Sequence, residues 1–371
     1  RGPPPTTPGT GIPSTTGALP DIYWGTWWAL NRWAYLPERG EALRARRVTT
    51  GGREGPTIEQ LTQERRALLA RQHIKPFLLR MLDRSRGKRQ KDSVTAAAMI
   101  ALAKIDTSEA TVELLLRAAE GGASTRLERE AAALAVGLLR RTDPKRRVDA
   151  VSLDLARTRL IDLIGGRKVP IRCRCFAAFA LGLLADQPYA SPFSKDGRVV
   201  VKGLLNRLSE RHEDPDLPVA LLTALALQPR KAIPTKVFED LRRAVAGGSV
   251  YKRKWSPLER AHALSTYARL RGPGWLLLSL RALGDRRLPS PVQRAARLAI
   301  GGNADHLTAE ERLAAVRALV RTAKQAPDHL SEGLGQIALA RIVQAELRTD
   351  SASILEETKA CLLYTSDAAD D

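Results

Sequence analysis

The chain has 371 residues, 44% of them hydrophobic but only 5% aromatic, and it carries 60 Lys and Arg against 40 Asp and Glu, a formal charge of +20. The apolar share is ample for a folded core, while the absence of any run of about 18 apolar residues excludes a membrane-spanning helix. The charge favours acidic partners, although an Arg-rich coding bias produces the same excess without any ligand.

Residues 1–20 are Pro-, Thr- and Gly-rich, with Pro3-Pro4-Pro5, Pro8-Gly9 and Pro13, and cannot bury apolar area. They read as a flexible linker. Such a tether commonly follows an export signal or a membrane anchor, which implies an exported or envelope-associated protein; the other reading is cytoplasmic. Residues 21–56 begin with Tyr23 to Leu36, which holds four of the six tryptophans, Trp24, Trp27, Trp28 and Trp33. Tryptophans at this helical spacing could stack on sugars or bases, but an aromatic helix also closes the open end of a helical array. The second reading is favoured, so 21–56 is expected to be an N-terminal cap packed against 57–105. Thr57 to Leu82 is predicted helical, with a bend or break at Pro76.

From there to residue 360 apolar and polar residues alternate at helical period in paired segments. First helices are predicted near 108–119, 153–165, 197–211, 236–246, 274–284 and 308–324. Second helices are predicted near 93–105, 126–141, 171–185, 216–228, 257–271, 291–301 and 331–347. The clearest is Cys173 to Leu184, where Ala177, Ala178, Ala180 and Gly182 permit close approach of another helix, and Phe176, Phe179, Leu183 and Leu184 supply apolar bulk. Copies of the pattern align on Leu102, Val136, Leu181, Leu225, Tyr267, Ile300 and Leu339, a mean step of about 40 residues. The fold class is therefore all-α, an α-solenoid of stacked antiparallel helix pairs.

Arg174, Ala177, Ala178, Ala180, Leu181 and Gly182 fall where the second helix of a HEAT repeat has Val-Arg-x-x-Ala-Ala-x-Ala-Leu-Gly, and the chain resembles HEAT-repeat (armadillo-like) proteins. With Trp27-Trp28-Ala29-Leu30-Asn31 ahead of the repeats, it is similar to HEAT-repeat proteins of planctomycete-type bacteria. The resemblance implies the fold and carries no activity with it. The last eleven residues, Cys361 to Asp371, resemble a translated sequencing adapter, as expected of a metagenomic fragment. Removing them would take away Asp367, Asp370 and Asp371 and leave the remainder more basic.

Little in the chain points to catalysis. The five histidines show no pair at metal-ligand spacing, no Gly-rich phosphate loop follows a strand, and Cys173 and Cys175 sit two apart on a helix, about 200° around its axis, so they cannot jointly grip a metal. No cofactor is expected. The candidate binding residues are basic. They recur in the turns between first and second helices: Arg84, Arg86, Lys88, Arg89 and Lys91; Arg167, Lys168, Arg172 and Arg174; Lys252, Arg253 and Lys254; Arg286 and Arg287. Stacking would align these turns as one ridge. The functional expectation is a non-enzymatic scaffold for protein–protein interaction whose second helices line a groove. The alternative is nucleic-acid or other polyanion binding through the basic ridge. A HEAT-like DNA glycosylase ranks below both, because the second helices carry few aromatics beyond Phe176, Phe179 and Tyr267.

Overall fold

The computed structural model describes residues 68–83, 91–121, 124–139, 150–185, 195–212, 214–323 and 328–348, all within one compact unit, Glu54–Asp371. Residues 1–67, including the linker and the tryptophan segment, and the tail 361–371 lie outside the described residues.

Among the described residues the protein is an all-helical solenoid of 14 α-helices. First helices are α1 (Lys75–Leu82), α3 (Glu109–Glu120), α5 (Ala150–Gly165), α7 (Lys195–Ser209), α9 (Thr235–Val245), α11 (Trp275–Gly284) and α13 (Ala309–Ala323). Second helices are α2 (Asp92–Ile105), α4 (Arg126–Leu138), α6 (Ile171–Ala185), α8 (Asp216–Ala226), α10 (Pro257–Arg269), α12 (Ser290–Gly302) and α14 (His329–Leu347). Each first helix packs on the second helix that follows it, and the second helices stack in an unbroken series from α2 to α14. The paired segments read from the periodicity are these helices, with ends shifted by a few residues.

Local chemistry starts and interrupts them. At the N-terminus of α4 the Thr125 hydroxyl accepts from the Glu128 N–H (3.4 Å), while the Glu128 carboxylate accepts from the Thr125 N–H (2.7 Å). Ser256 and Glu259 do the same for α10, and Thr308 and Glu311 for α13. These reciprocal caps satisfy amide donors that the first helical turn leaves unpaired. Pro76 does not break the chain. The helix runs on through it: Ala70–Ile74 winds as a π-helix and continues directly into α1, in whose first turn Pro76 stands.

The stacking of second helices rests on small residues. A Cβ added at Gly137 would lie 2.6 Å from Ala180 Cα, one at Gly182 would lie 2.8 Å from Ala224 Cα, and one at Gly301 would lie 2.7 Å from Ala338 Cα. In each case a glycine of one repeat receives the alanine of the next. The interior filled around this ladder includes Leu102, Leu115, Leu116, Val136, Leu181, Leu184, Leu225, Leu264 and Ile300, all buried. Tyr267 stands where other repeats have an aliphatic residue. It meets Phe238 of α9 edge-on at 5.9 Å, and its hydroxyl donates to Pro273 O (2.5 Å), which lets a polar tip leave the core.

Replacing Gly182 by Ala gains helix propensity worth about 1 kcal/mol, but it drives a methyl group into the Ala224 backbone. Gly182→Ala is expected to lose about 1–3 kcal/mol net, read as a lowered midpoint in denaturant unfolding. An unchanged or raised midpoint would show that the ladder has slack.

A second outcome concerns acid. Asp328 caps α14 by accepting from the Ser331 N–H (2.7 Å), and it accepts from Arg294 Nη2 of α12 (2.5 Å). The Arg294 guanidinium first, and the Ser331 amide next, hold its carboxyl down at about 2, below the ordinary 3.8. A depressed carboxyl contributes stability that is present above the ordinary value and lost as pH falls from 3.8 towards 2. Thermal melts should therefore show Asp328→Asn less stable than the native chain at about pH 5 and equal to it near pH 2.

Candidate interaction surface

Because the second helices stack in register, the turns entering them share one edge of the solenoid. Seven of the fourteen candidate cations are exposed there: Lys91 at the start of α2, Arg167 and Lys168 before α6, Lys252 and Lys254 before α10, and Arg286 and Arg287 before α12. Arg84, Arg86, Lys88 and Arg89 fall outside the described residues. The other three are held by the protein itself. Arg172 pairs with Glu130 (3.2 Å), Arg174 Nε donates to Ile164 O (2.7 Å), and Arg253 pairs with Glu259 (2.6 Å) while its guanidinium lies 5.3 Å from the centre of the Trp255 ring.

Arg174 belongs to a series. Arg129 donates to Ala119 O and Glu120 O, both at 3.2 Å, and Arg260 donates to Val245 O at 2.9 Å. In α12 a glutamine takes over, with Gln293 Nε2 donating to Leu288 O at 3.0 Å. Each is seven residues before the repeat's alignment position. The three arginines carry a positive donor to carbonyls that the end of the preceding first helix leaves unsatisfied, favourable both as a hydrogen bond and against the helix dipole. These side chains are structural.

The edge is not continuous in charge. Between the Arg167–Lys168 turn and the Lys252–Lys254 turn lies 210–216, which carries Glu210, Asp214 and Asp216 as well as Arg211 and a half-buried His212. His212 Nε2 lies 2.6 Å from Arg207 O, and burial pushes its pKa down.

The turn before α10 is the most constructed part of the edge. Val250 and Arg253 exchange backbone hydrogen bonds (2.9 and 3.1 Å), and the two residues between them take left-handed backbone, Tyr251 at φ 51° and Lys252 at φ 59°. Neither is glycine. Arg253 turns inward onto Glu259 and Trp255, so Lys252 and Lys254 point out. Burial pushes the Tyr251 hydroxyl up to about 12.

Burial changes along the second helices. On α4, α6 and α8 Leu134, Leu138, Phe176, Phe179, Leu183 and Val219 are buried. On α10 and α12 water reaches His262, Ser265, Arg269 and Arg294. Cys173 and Cys175 are free, buried thiols, and burial pushes Cys173 up to about 11 and Cys175 well above its ordinary range. Neither is a nucleophile in that state. Among the described residues no group of three His, Cys, Asp or Glu side chains is placed to hold a metal, and no helix is long and apolar enough to cross a membrane.

A feature absent from the sequence reading is a groove of about 520 Å³ in the first-helix layer. It is bounded by α7 and the turn 231–234, with Arg198, Lys202 and Lys231 among its lining residues. The Arg198-x-x-Val201-Lys202-x-x-Leu205-Asn206 spacing puts these α7 residues on one face, a pattern visible in the sequence. What could not be read there was that a turn from the next repeat stands opposite.

The chain matches no family model, no curated protein and no solved structure.

The left-handed pair at Tyr251-Lys252 supplies a further measurable outcome. A non-glycine residue in that conformation costs roughly 1–2 kcal/mol, and Lys252 is exposed, so Lys252→Gly removes strain without removing packing. It is expected to raise the unfolding free energy by about 1 kcal/mol, read as a higher denaturant midpoint. A loss of stability instead would mean that the lysine side chain contributes contacts beyond its backbone.

Proposed function

We propose that the protein is a non-enzymatic scaffold of HEAT-like repeats that binds a protein partner. The observation that supports this reading is the ladder of second helices, which spreads stability along seven helix pairs and leaves a long outer surface free to vary. That surface carries side chains suited to macromolecular contact. Cations line one edge, and Leu330, Ile337 and Leu347 stand half exposed along α14.

A second reading is supported by the exposed cations themselves: Lys91, Arg167, Lys168, Lys252, Lys254, Arg286 and Arg287 would meet a polyanion such as nucleic acid along the edge. The acidic turn at 210–216 and the internal use of Arg172, Arg174 and Arg253 weigh against it.

Salt separates the two. Under the scaffold reading, labelled duplex DNA binds the full chain only at low salt and is released by about 0.15 M, while a protein partner recovered by cross-linking and then purified binds saturably at that salt. Under the polyanion reading, DNA affinity falls linearly on logarithmic axes with a slope close to the number of phosphates neutralised. It also collapses in a Lys252→Glu/Lys254→Glu/Arg286→Glu/Arg287→Glu variant. DNA binding that persists at about 0.15 M and is lost in that variant would displace the scaffold reading.

A further inference from the structure

The groove between α7 and the turn 231–234 combines two properties that seldom meet by accident on a surface. Its base is apolar: Val201 and Ile233 are buried there, Leu205 is half-buried, and Ala232 and Pro234 complete the lining. Its polar lining consists of Arg198, Lys202, Lys231 and Asn206, all exposed, with no carboxylate among the lining residues. None of the three cations is in an ion pair with a described carboxylate, whereas elsewhere Arg126, Arg157, Arg159, Arg207 and Arg294 each have one.

The position follows from the fold. In the first-helix layer α7 packs on α5 along one flank, and along the other its close neighbour is the 3₁₀ turn Arg230–Ala232 that precedes α9. A turn is shorter than a helix, so it leaves part of the α7 face uncovered. That face carries residues at i, i+3, i+4, i+7 and i+8, and it alternates charge with apolar surface. Lys231 approaches from the opposite wall, so a ligand lying between the walls would meet positive charge from both.

We propose that this groove binds a short acidic segment of a protein partner in which carboxylates alternate with aliphatic side chains. Its carboxylates would pair with Lys202, Lys231 and Arg198, and its aliphatic groups would cover Val201, Leu205 and Ile233. The assignment rests on the scaffold reading and names the partner chemistry it requires. Charge complementarity selects the occupant: three cations without counter-charge exclude basic and disfavour neutral segments, and the apolar base distinguishes an amphipathic segment from a uniformly charged one.

The test uses the full chain and fluorescence anisotropy at about 0.15 M salt, with fluorescein-labelled Asp-Leu-Glu-Leu-Asp as the probe and three comparisons: its amide counterpart Asn-Leu-Gln-Leu-Asn, oligo-Glu of equal length, and duplex DNA. The acidic-aliphatic peptide is expected to bind at least about tenfold more tightly than each of the other two peptides. Lys202→Glu/Lys231→Glu is expected to weaken it by at least about tenfold, while Lys252→Glu/Lys254→Glu on the basic edge leaves it unchanged. Both substituted pairs are exposed, so circular dichroism should show native helix content.

Peptide affinity unaffected by the groove reversal overturns the assignment. So does equal binding of the amide peptide, which would leave only apolar contact. Equal binding of oligo-Glu or DNA, lost in the same variant, would make the groove a general polyanion site. A scaffold that binds its partner with the groove reversed refutes this site and leaves the scaffold reading intact; peptide binding in a chain that captures no protein does the converse.

Discussion

The contact on which the rest of the solenoid depends is a glycine of one second helix against an alanine of the next. With side chains removed at Gly137, Gly182 and Gly301, backbones approach closely enough that a single added methyl would meet main-chain atoms. Close approach sets the spacing of the repeats, and the spacing in turn decides how much of each first helix can be covered. The longer aliphatic residues fill what remains between layers. Because the contact recurs at three of the six interfaces between second helices and alanine stands at the glycine's place in the other repeats, neighbouring repeats support one another and no single central core is needed.

The excess of arginine is divided between two duties by this geometry. One set is consumed internally: Arg129, Arg174 and Arg260 close the ends of first helices, Arg294 ties α12 to the cap of α14, and Arg312 pairs with the buried carboxylate of Glu346 (2.6 Å). Burying a charge is tolerated there because a carbonyl or carboxylate meets it. The other set stands exposed on the edge and around the α7 groove. Composition alone adds the two sets together, so net charge cannot tell them apart.

The legible and the illegible parts of the fold differ in physical range. Helical periodicity and the recurrent Ala and Gly positions are local, and they placed thirteen helices, α2 to α14, with small errors at their ends. The caps Thr125–Glu128, Ser256–Glu259 and Thr308–Glu311 are also local, Ser/Thr-x-x-Glu in each case, and a search for that spacing would have marked the starts of α4, α10 and α13. Pro76 was read as a bend or break because a proline removes a donor; the helix continues through it, with a π-helical turn at Ala70–Ile74 just before. The paired left-handed residues Tyr251 and Lys252 had no signal, since glycine or asparagine is the usual mark of that turn.

What the sequence determined by itself is the all-helical class, the period of about 40 residues and the residues that touch between successive second helices, because each follows from spacing along one chain segment. Only the tertiary structure decided which basic residues are spoken for, where α7 faces a turn instead of a helix, and how a charged side chain could occupy the core. Arg297 makes the last point. It stands where earlier repeats have Ala133, Ala178, Leu222 and Leu264, it is 2% exposed, and Gly335 lies beside it across the interface. Nη1 has no hydrogen-bond partner among the described residues, and burial pushes the guanidinium pKa down. No periodicity announces such a residue, because its cost and its accommodation depend on atoms about 38 positions away that only folding brings into contact.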